Sequence, residues 1–340
     1  MTEPTTVTKP KPQTAQLYQT IQHVNQYLNQ RIIGQEGLIT RMLIALLCDG
    51  HLLVEGAPGL AKTKAIKELA ACIEGDFHRI QFTPDLLPAD LTGTEIYRPQ
   101  DGSFHFQQGP IFHNLILADE INRAPAKVQS ALLEAMAEKQ VTIGRETYTL
   151  PTLFLVMATQ NPLEQEGTYP LPEAQLDRFL LHVKVNYPNS STEKRILQLV
   201  REEAHANQPV LNRPTLSQAS IFGMRQAVLN IHLSPALEEY IIQLVVATRQ
   251  PAQYDQPNSN QTRFSEWLRF GASPRASISL DRCARAHAWL NGRDFVSPED
   301  IHAIAPDVLR HRILLSFVAE AENIDPDAII QHLLQHVPVP

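Results

Sequence analysis

Leu17, Ile21, Val24 and Leu28 recur at helical spacing and predict a helix over 14–30, with a second helical stretch over 36–48. The run HLLVEG (51–56) is short, apolar and closed by glycine, as a buried parallel strand is, and a helix is expected from Lys62 to about Ile73. FHRIQF (77–82), LILADE (115–120), TLFLVMATQ (152–160) and LLHVKV (180–185) read as further strands, with helices over 125–138 and 173–178. Buried strands alternating with helices imply a parallel sheet covered on both faces. Two segments break the alternation: residues 94–109 alternate around Asp101–Gly102, a hairpin signal, and residues 140–150 alternate in the same way. After about residue 190 the period is helical only, over 192–206, 217–229, 235–249, 275–291 and 298–309. SPED (297–300) suits a helix start, with Ser297 as N-cap, Pro298 in the first turn and acids behind it. Residues 250–273 are polar and turn-rich and are expected to form a loop. The organisation expected is a tail over 1–13, an α/β core with its N-terminal helix over 14–190, and an all-α domain over 191–340.

Composition narrows the function classes. The 340 residues are 43% hydrophobic and 19% charged, enough apolar content for packed cores. Net charge is −7, which argues against broad electrostatic attraction to nucleic acid. Cys48, Cys72 and Cys283 form no CxxC pair, which argues against structural zinc, and they are expected to be small core residues in a reducing compartment. His78, His105, His113 and His182 are scattered without HExxH spacing; His105 is expected on a hairpin face and His311 on a helix surface. No run is long enough for a membrane span and the N-terminus has no apolar signal core, so a cytoplasmic location is expected.

The chemistry lies at the ends of the strands. Gly56, Ala57, Pro58, Gly59, Leu60, Ala61, Lys62 and Thr63 read GAPGLAKT, a phosphate-binding loop of the form GxxxxGK[ST] with alanine in place of the second glycine. Loop N–H groups and a helix N-terminus hold phosphates, a lysine reaches the β- and γ-phosphates, and a threonine hydroxyl faces Mg²⁺. Alanine at position 61 implies a backbone that needs no positive φ. Asp119 and Glu120 close the apolar strand LILADE at the sheet edge where ligands bind, so Asp119 is a Mg²⁺ ligand candidate and Glu120 a general-base candidate. Asn161 in ATQNP is placed to orient a water. LDRF (176–179) and SPRA (273–276) each offer an arginine for a γ-phosphate, and sequence order alone does not distinguish these from surface arginines.

The strings IIGQE, GAPGLAKT, LTGTE, QQGPIFHNLILADEINRAP, QSALLEAMAEKQVTI, MATQNP, EGTYPLPEAQLDRF and GASPRA, spread from about Ile33 to Pro306, resemble the MoxR family of AAA+ ATPases. The resemblance implies a P-loop AAA+ core followed by a helical lid, and ATP and Mg²⁺ as cofactors. It implies Walker A residues Lys62 and Thr63 with Lys64 beside them, Walker B residues Asp119 and Glu120, and Asn161 as sensor 1. It further implies Arg178 as the arginine finger acting on a neighbour's ATP, Arg123 as a second interface arginine, Arg275 as sensor 2, and Ile32, Ile33 and Gly34 beside the adenine. The hairpins at 94–109 and 140–150 would be the helix-2 insert and the pre-sensor-1 hairpin. Assembly into a ring, most often hexameric, and chaperone-like remodelling, maturation or cofactor insertion of enzyme complexes with a von Willebrand factor A domain partner are family expectations. The alternatives are a magnesium-chelatase-like ATPase subunit, a nucleic-acid motor or loader using Lys139 and Arg145, and a nucleotide-dependent binding protein with negligible hydrolysis.

Overall fold

The computed structural model describes residues 12–100, 102–162, 167–205, 213–255 and 264–340. Residues 1–11 of the expected tail, Asp101 of the first hairpin turn, residues 163–166, the end of the expected 192–206 helix and part of the 250–273 stretch lie outside the described residues.

Five parallel strands form the central sheet: β1 (Leu52–Gly56), β2 (Phe77–Gln81), β5 (Leu115–Asp119), β8 (Leu155–Gln160) and β9 (Leu181–Val185), in the order β2-β5-β8-β1-β9. Between them, β3 (Gly93–Arg98) pairs with β4 (Ser103–Gln108), and β6 (Gln140–Ile143) with β7 (Glu146–Thr149), the two hairpins expected from alternation. Successive side chains of the central strands enter different cores because a strand alternates faces. Leu52, Val54, Leu115, Leu117, Leu155 and Met157 face one core; Leu53, Ile116, Ala118, Val156 and Ala158 face the other. The first core is closed by α1 (Pro12–Arg31), α2 (Glu36–Leu47) and α3 (Lys62–Ala71), the second by α4 (Pro88–Thr92) and α5 (Ala126–Glu138).

After α6 (Glu173–Leu176) and β9, the chain turns helical: α7 (Ser190–His205), α8 (Gln218–Leu229), α9 (Pro235–Arg249), α10 (Phe264–Trp267), α11 (Pro274–Leu290), α12 (Pro298–Leu309), α13 (Phe317–Ala321) and α14 (Pro326–His336). Lid residues such as Leu280, Cys283 and Ile304 share the first core with α1–α3, so this half packs on one face of the sheet. The stretch expected as a loop also carries a strand: β10 (Leu268–Phe270) pairs antiparallel with β11 (Leu314–Leu315). All three cysteines are buried. His311, expected on a surface, is 7% exposed; its ring Nε2 lies 3.1 Å from the Phe179 carbonyl, and burial drives its pKa down. Among the described residues no helix is long and apolar enough to cross a membrane.

Candidate nucleotide site

The C-terminal edge of the sheet gathers three strand ends. The first is β1, whose turn into α3 is the GAPGLAKT loop. A Cβ on Gly56 would lie 2.7 Å from the Val185 carbonyl oxygen, so no side chain fits there without displacing β9. Pro58 and Gly59 are exposed, whereas Ala57 and Leu60 are buried and anchor the loop. Gly59 has φ +83°, and Ala61, against expectation, also has positive φ, at 57°. A left-handed backbone at alanine costs about 1–2 kcal/mol. Left-handed and right-handed residues in succession turn consecutive N–H groups into one concavity, the form that receives a phosphate. The requirement for positive φ was therefore real, and alanine tolerates it at a cost.

Lys62 opens α3. Its Nζ donates to the carbonyls of Gly56 and, at 3.3 Å, Gln160 at the end of β8. Desolvation by burial lowers its pKa below the usual lysine value. A partly dehydrated ammonium whose acceptors are two neutral carbonyls is one that an anionic phosphate would stabilise. Thr63 and Lys64, the next two residues of the helix, are half-buried.

The second strand end is β5. Asp119 is 8% exposed, its Oδ1 accepts from Thr159 Oγ1 at 2.6 Å, and its Oδ2 lies 3.5 Å from Thr63 Oγ1. The same Oδ2 accepts from Arg79 Nη2 at 2.6 Å and Nε at 3.0 Å. Hydroxyl and carboxylate oxygens side by side are the hard donors that magnesium takes. Glu120 follows in a left-handed conformation, φ 57°, fixed by its N–H donating to Thr159 Oγ1 at 2.9 Å. Its Oε2 accepts from Gln81 Nε2 at 2.8 Å and Arg123 Nη1 at 3.0 Å. Strain of this kind persists where the surroundings over-determine it, and here both Ala61 and Glu120 carry it. The third strand end is β8, followed by Asn161, 5% exposed.

Thr159, Arg79 and Gln81 were not singled out from sequence. The polar positions 79 and 81, alternating around buried Ile80 in the β2 run, were the available signal.

A cavity of about 300 Å³ lies at the end of β9, lined by Gly34, Gln35, Leu38, Arg41, Val185 and Asp307 among others. It lies between the segment before α2, the end of β9 and lid helix α12. Gly34 lines it; Ile32 lies in the core at 1% exposure, and Ile33 is half-buried.

The remaining arginines are elsewhere. Arg178, in the turn after α6, makes no side-chain hydrogen bond or ion pair with the described residues. Arg275, near the start of α11, is 57% exposed in its side chain, and its Nη1 lies 3.7 Å from Asp177 Oδ2. Arg123 is drawn in against Glu120 of its own chain. Lys62, Thr63, Asp119, Glu120 and Asn161 thus share one sheet edge, whereas Arg178 and Arg275 do not contact them.

A model of the ATPase family associated with various cellular activities (AAA) matches residues 51–181, and one of the AAA lid domain matches residues 260–333. The chain is 47% identical over 309 residues to "Chaperone MoxR1" of Mycobacterium tuberculosis, covering 91% of this chain and 79% of that one. It is 34% identical to "Protein MoxR" of Paracoccus denitrificans, covering 92% and 94%. A Cytophaga hutchinsonii protein solved by crystallography superposes with a TM-score of 0.86 at 47% identity, covering 96% of this chain and 97% of that one. With the GAPGLAKT loop at the edge of a five-stranded parallel sheet, a helical lid, and relatives of this similarity along nearly its whole length, the chain belongs to the MoxR family of AAA+ ATPases.

Proposed function

We propose that the chain hydrolyses Mg-ATP at the edge formed by β1, β5 and β8, in a site completed by a neighbouring copy. The observation that carries this reading is the approach of Thr63 Oγ1 to within 3.5 Å of Asp119 Oδ2, from motifs 56 residues apart. In this reading the N–H groups of 57–63 and the Lys62 ammonium bind the phosphates, with Lys64 beside them. Gly34 and Ile33 flank the base. Thr63 and Asp119 hold Mg²⁺, which supplies charge neutralisation at the phosphates. Asn161 orients a water and Glu120 takes its proton, while Gln81 and Arg123 restrain the Glu120 carboxylate. Arg275 acts as the sensor 2 of the lid, and Arg178 is offered to the nucleotide of the next copy. Glu120→Gln is expected to keep ATP binding and to lower phosphate release about 10²–10⁴-fold, the range for a lost general base. Turnover unchanged in that variant would contradict the mechanism.

Arg79 bears on the metal. Its guanidinium holds Asp119 Oδ2, the oxygen that faces Thr63, so a cation there competes with it. The arginine side chain is 43% exposed, which limits the pair to about 0–1 kcal/mol. Arg79→Ala is therefore expected to lower the Mg²⁺ concentration for half-maximal turnover by up to about fivefold. A higher Mg²⁺ requirement would mean that Arg79 instead orients Asp119.

At the cellular level we infer a cytoplasmic ring, most simply a hexamer, that spends ATP on chaperone-like remodelling or maturation of a protein complex with a von Willebrand factor A domain partner. The chaperone name carried by the Mycobacterium tuberculosis relative supports this direction. The Glu120→Gln form should retain such a partner in the presence of ATP and release it without nucleotide; equal retention in both conditions would count against it.

A further inference from the structure

The segment that carries Arg178 is fastened to the lid of its own chain. Arg312, in the turn after α12, has a side chain only 2% exposed. Its Nε donates to Asp177 Oδ1 at 2.8 Å, its Nη2 to the Phe179 carbonyl at 2.6 Å, and its Nη1 to the Leu180 carbonyl at 3.2 Å. The same guanidinium reaches Val308 O on α12 at 2.5 Å and Ser279 Oγ on α11 at 3.3 Å. From the start of α11, Ser273 Oγ donates to Asp177 Oδ2 at 2.9 Å, and Arg275 Nη1 stands 3.7 Å from that oxygen. Asp177 thus collects three lid residues on one carboxylate, and it directly precedes Arg178. Phe179, on the other side, is fully buried. Between two anchored neighbours, the backbone at Arg178 is held against the lid.

We propose that Asp177 is a positioning residue: through Arg312 and Ser273 it couples the direction of Arg178 to the lid of its own chain. This rests on the reading above, that Arg178 serves the nucleotide of the next chain. The lid thereby sets the arginine presented to the neighbouring site.

The test uses the full chain and mixed assemblies. Asp177→Asn is expected to keep ATP binding, read with a fluorescent ATP analogue, while kcat falls about 10²-fold, the scale of a misplacement of roughly 1 Å. A general structural defect predicts the same fall in kcat, so the deciding readout is rescue. The Asp177→Asn subunit keeps an intact phosphate loop, and a Glu120→Gln subunit keeps an intact Arg178 segment. Mixing the two should restore turnover to the extent that Glu120→Gln restores Arg178→Ala. Because Asp177→Asn leaves Arg312 buried without its counter-charge, the double variant Asp177→Asn/Arg312→Gln, a neutral hydrogen-bonding pair, is run beside it with thermal melts of both. Rescue of Arg178→Ala without rescue of either Asp177 variant would overturn the coupling and leave the finger reading standing. Wild-type turnover in a folded Asp177 variant would also overturn the coupling. Rescue of none, Arg178→Ala included, would overturn the intersubunit finger and the coupling with it.

Discussion

Lys62→Ala loses ATP binding while its fold is at least as stable as that of the wild type. Both halves of this expectation come from the lysine's surroundings. The ammonium is partly desolvated, which lowers its pKa, and its acceptors are the carbonyls of Gly56 and Gln160. Asp119 and Glu120 act on it only through space. A cation in that position stabilises the chain little, since two neutral acceptors replace water imperfectly. On the proposed reading it stabilises a bound phosphate strongly, because the loop N–H groups and the ammonium would meet the same anion. Loss of one partner from a buried, hydrogen-bonded charge pair costs about 2–5 kcal/mol, roughly 30- to 4000-fold in Kd. Titration calorimetry with Mg-ATP and a thermal melt of the same sample read both quantities. A variant that binds ATP normally would remove the phosphate-loop assignment, and one that fails to fold would mean that Lys62 is structural.

Arg178→Ala is expected to show the opposite division: ATP binding is retained and turnover is lost. The side chain makes no polar contact with Lys62, Asp119 or Glu120 in its own chain, so its removal leaves that site unchanged. A guanidinium that meets the γ-phosphate only in the transition state contributes to kcat rather than to affinity. Such arginines are worth about 10³–10⁵ in rate, or roughly 4–7 kcal/mol. Steady-state phosphate release with ATP half-saturation measured alongside separates the two effects. A loss in affinity with kcat preserved would make Arg178 a binding residue of its own chain.

How much of this was legible in the sequence follows from how each residue is held. Lys62, Thr63, Asp119 and Glu120 sit where an apolar strand ends, so a short run of hydrophobic letters announces the sheet edge and the next residues fall on it. Thr159 is harder to read. It lies within β8, and it matters because its hydroxyl joins Asp119 Oδ1 to the Glu120 N–H, a contact made across strands. Arg79 and Gln81 come from β2, which pairs with β5 in a register that sets Gln81 opposite Asp119. No local pattern encodes that pairing. Arg312 is 135 residues from Asp177, and both were passed over: Asp177 for the arginine beside it, and Arg312 because it follows the last helix that the spacing picked out. The β10–β11 ribbon has strands of three and two residues, too short for alternation to be seen. Ala61 was misread for a different reason. Residue type argues against positive φ at alanine, but the loop's geometry requires it, and tertiary context prevails over the local preference.

The central claim is that one chain supplies the phosphate loop and another supplies the arginine of a single ATP site. The most direct measurement is phosphate release from Mg-ATP as Arg178→Ala protein is mixed with Glu120→Gln protein at constant total concentration. Each alone is expected to be nearly inactive. In a 1:1 mixture about a quarter of the interfaces pair an intact Glu120 with an intact Arg178, so turnover should rise to a maximum near equal proportions. A flat line at every ratio, with both proteins folded and assembled, would contradict the shared site.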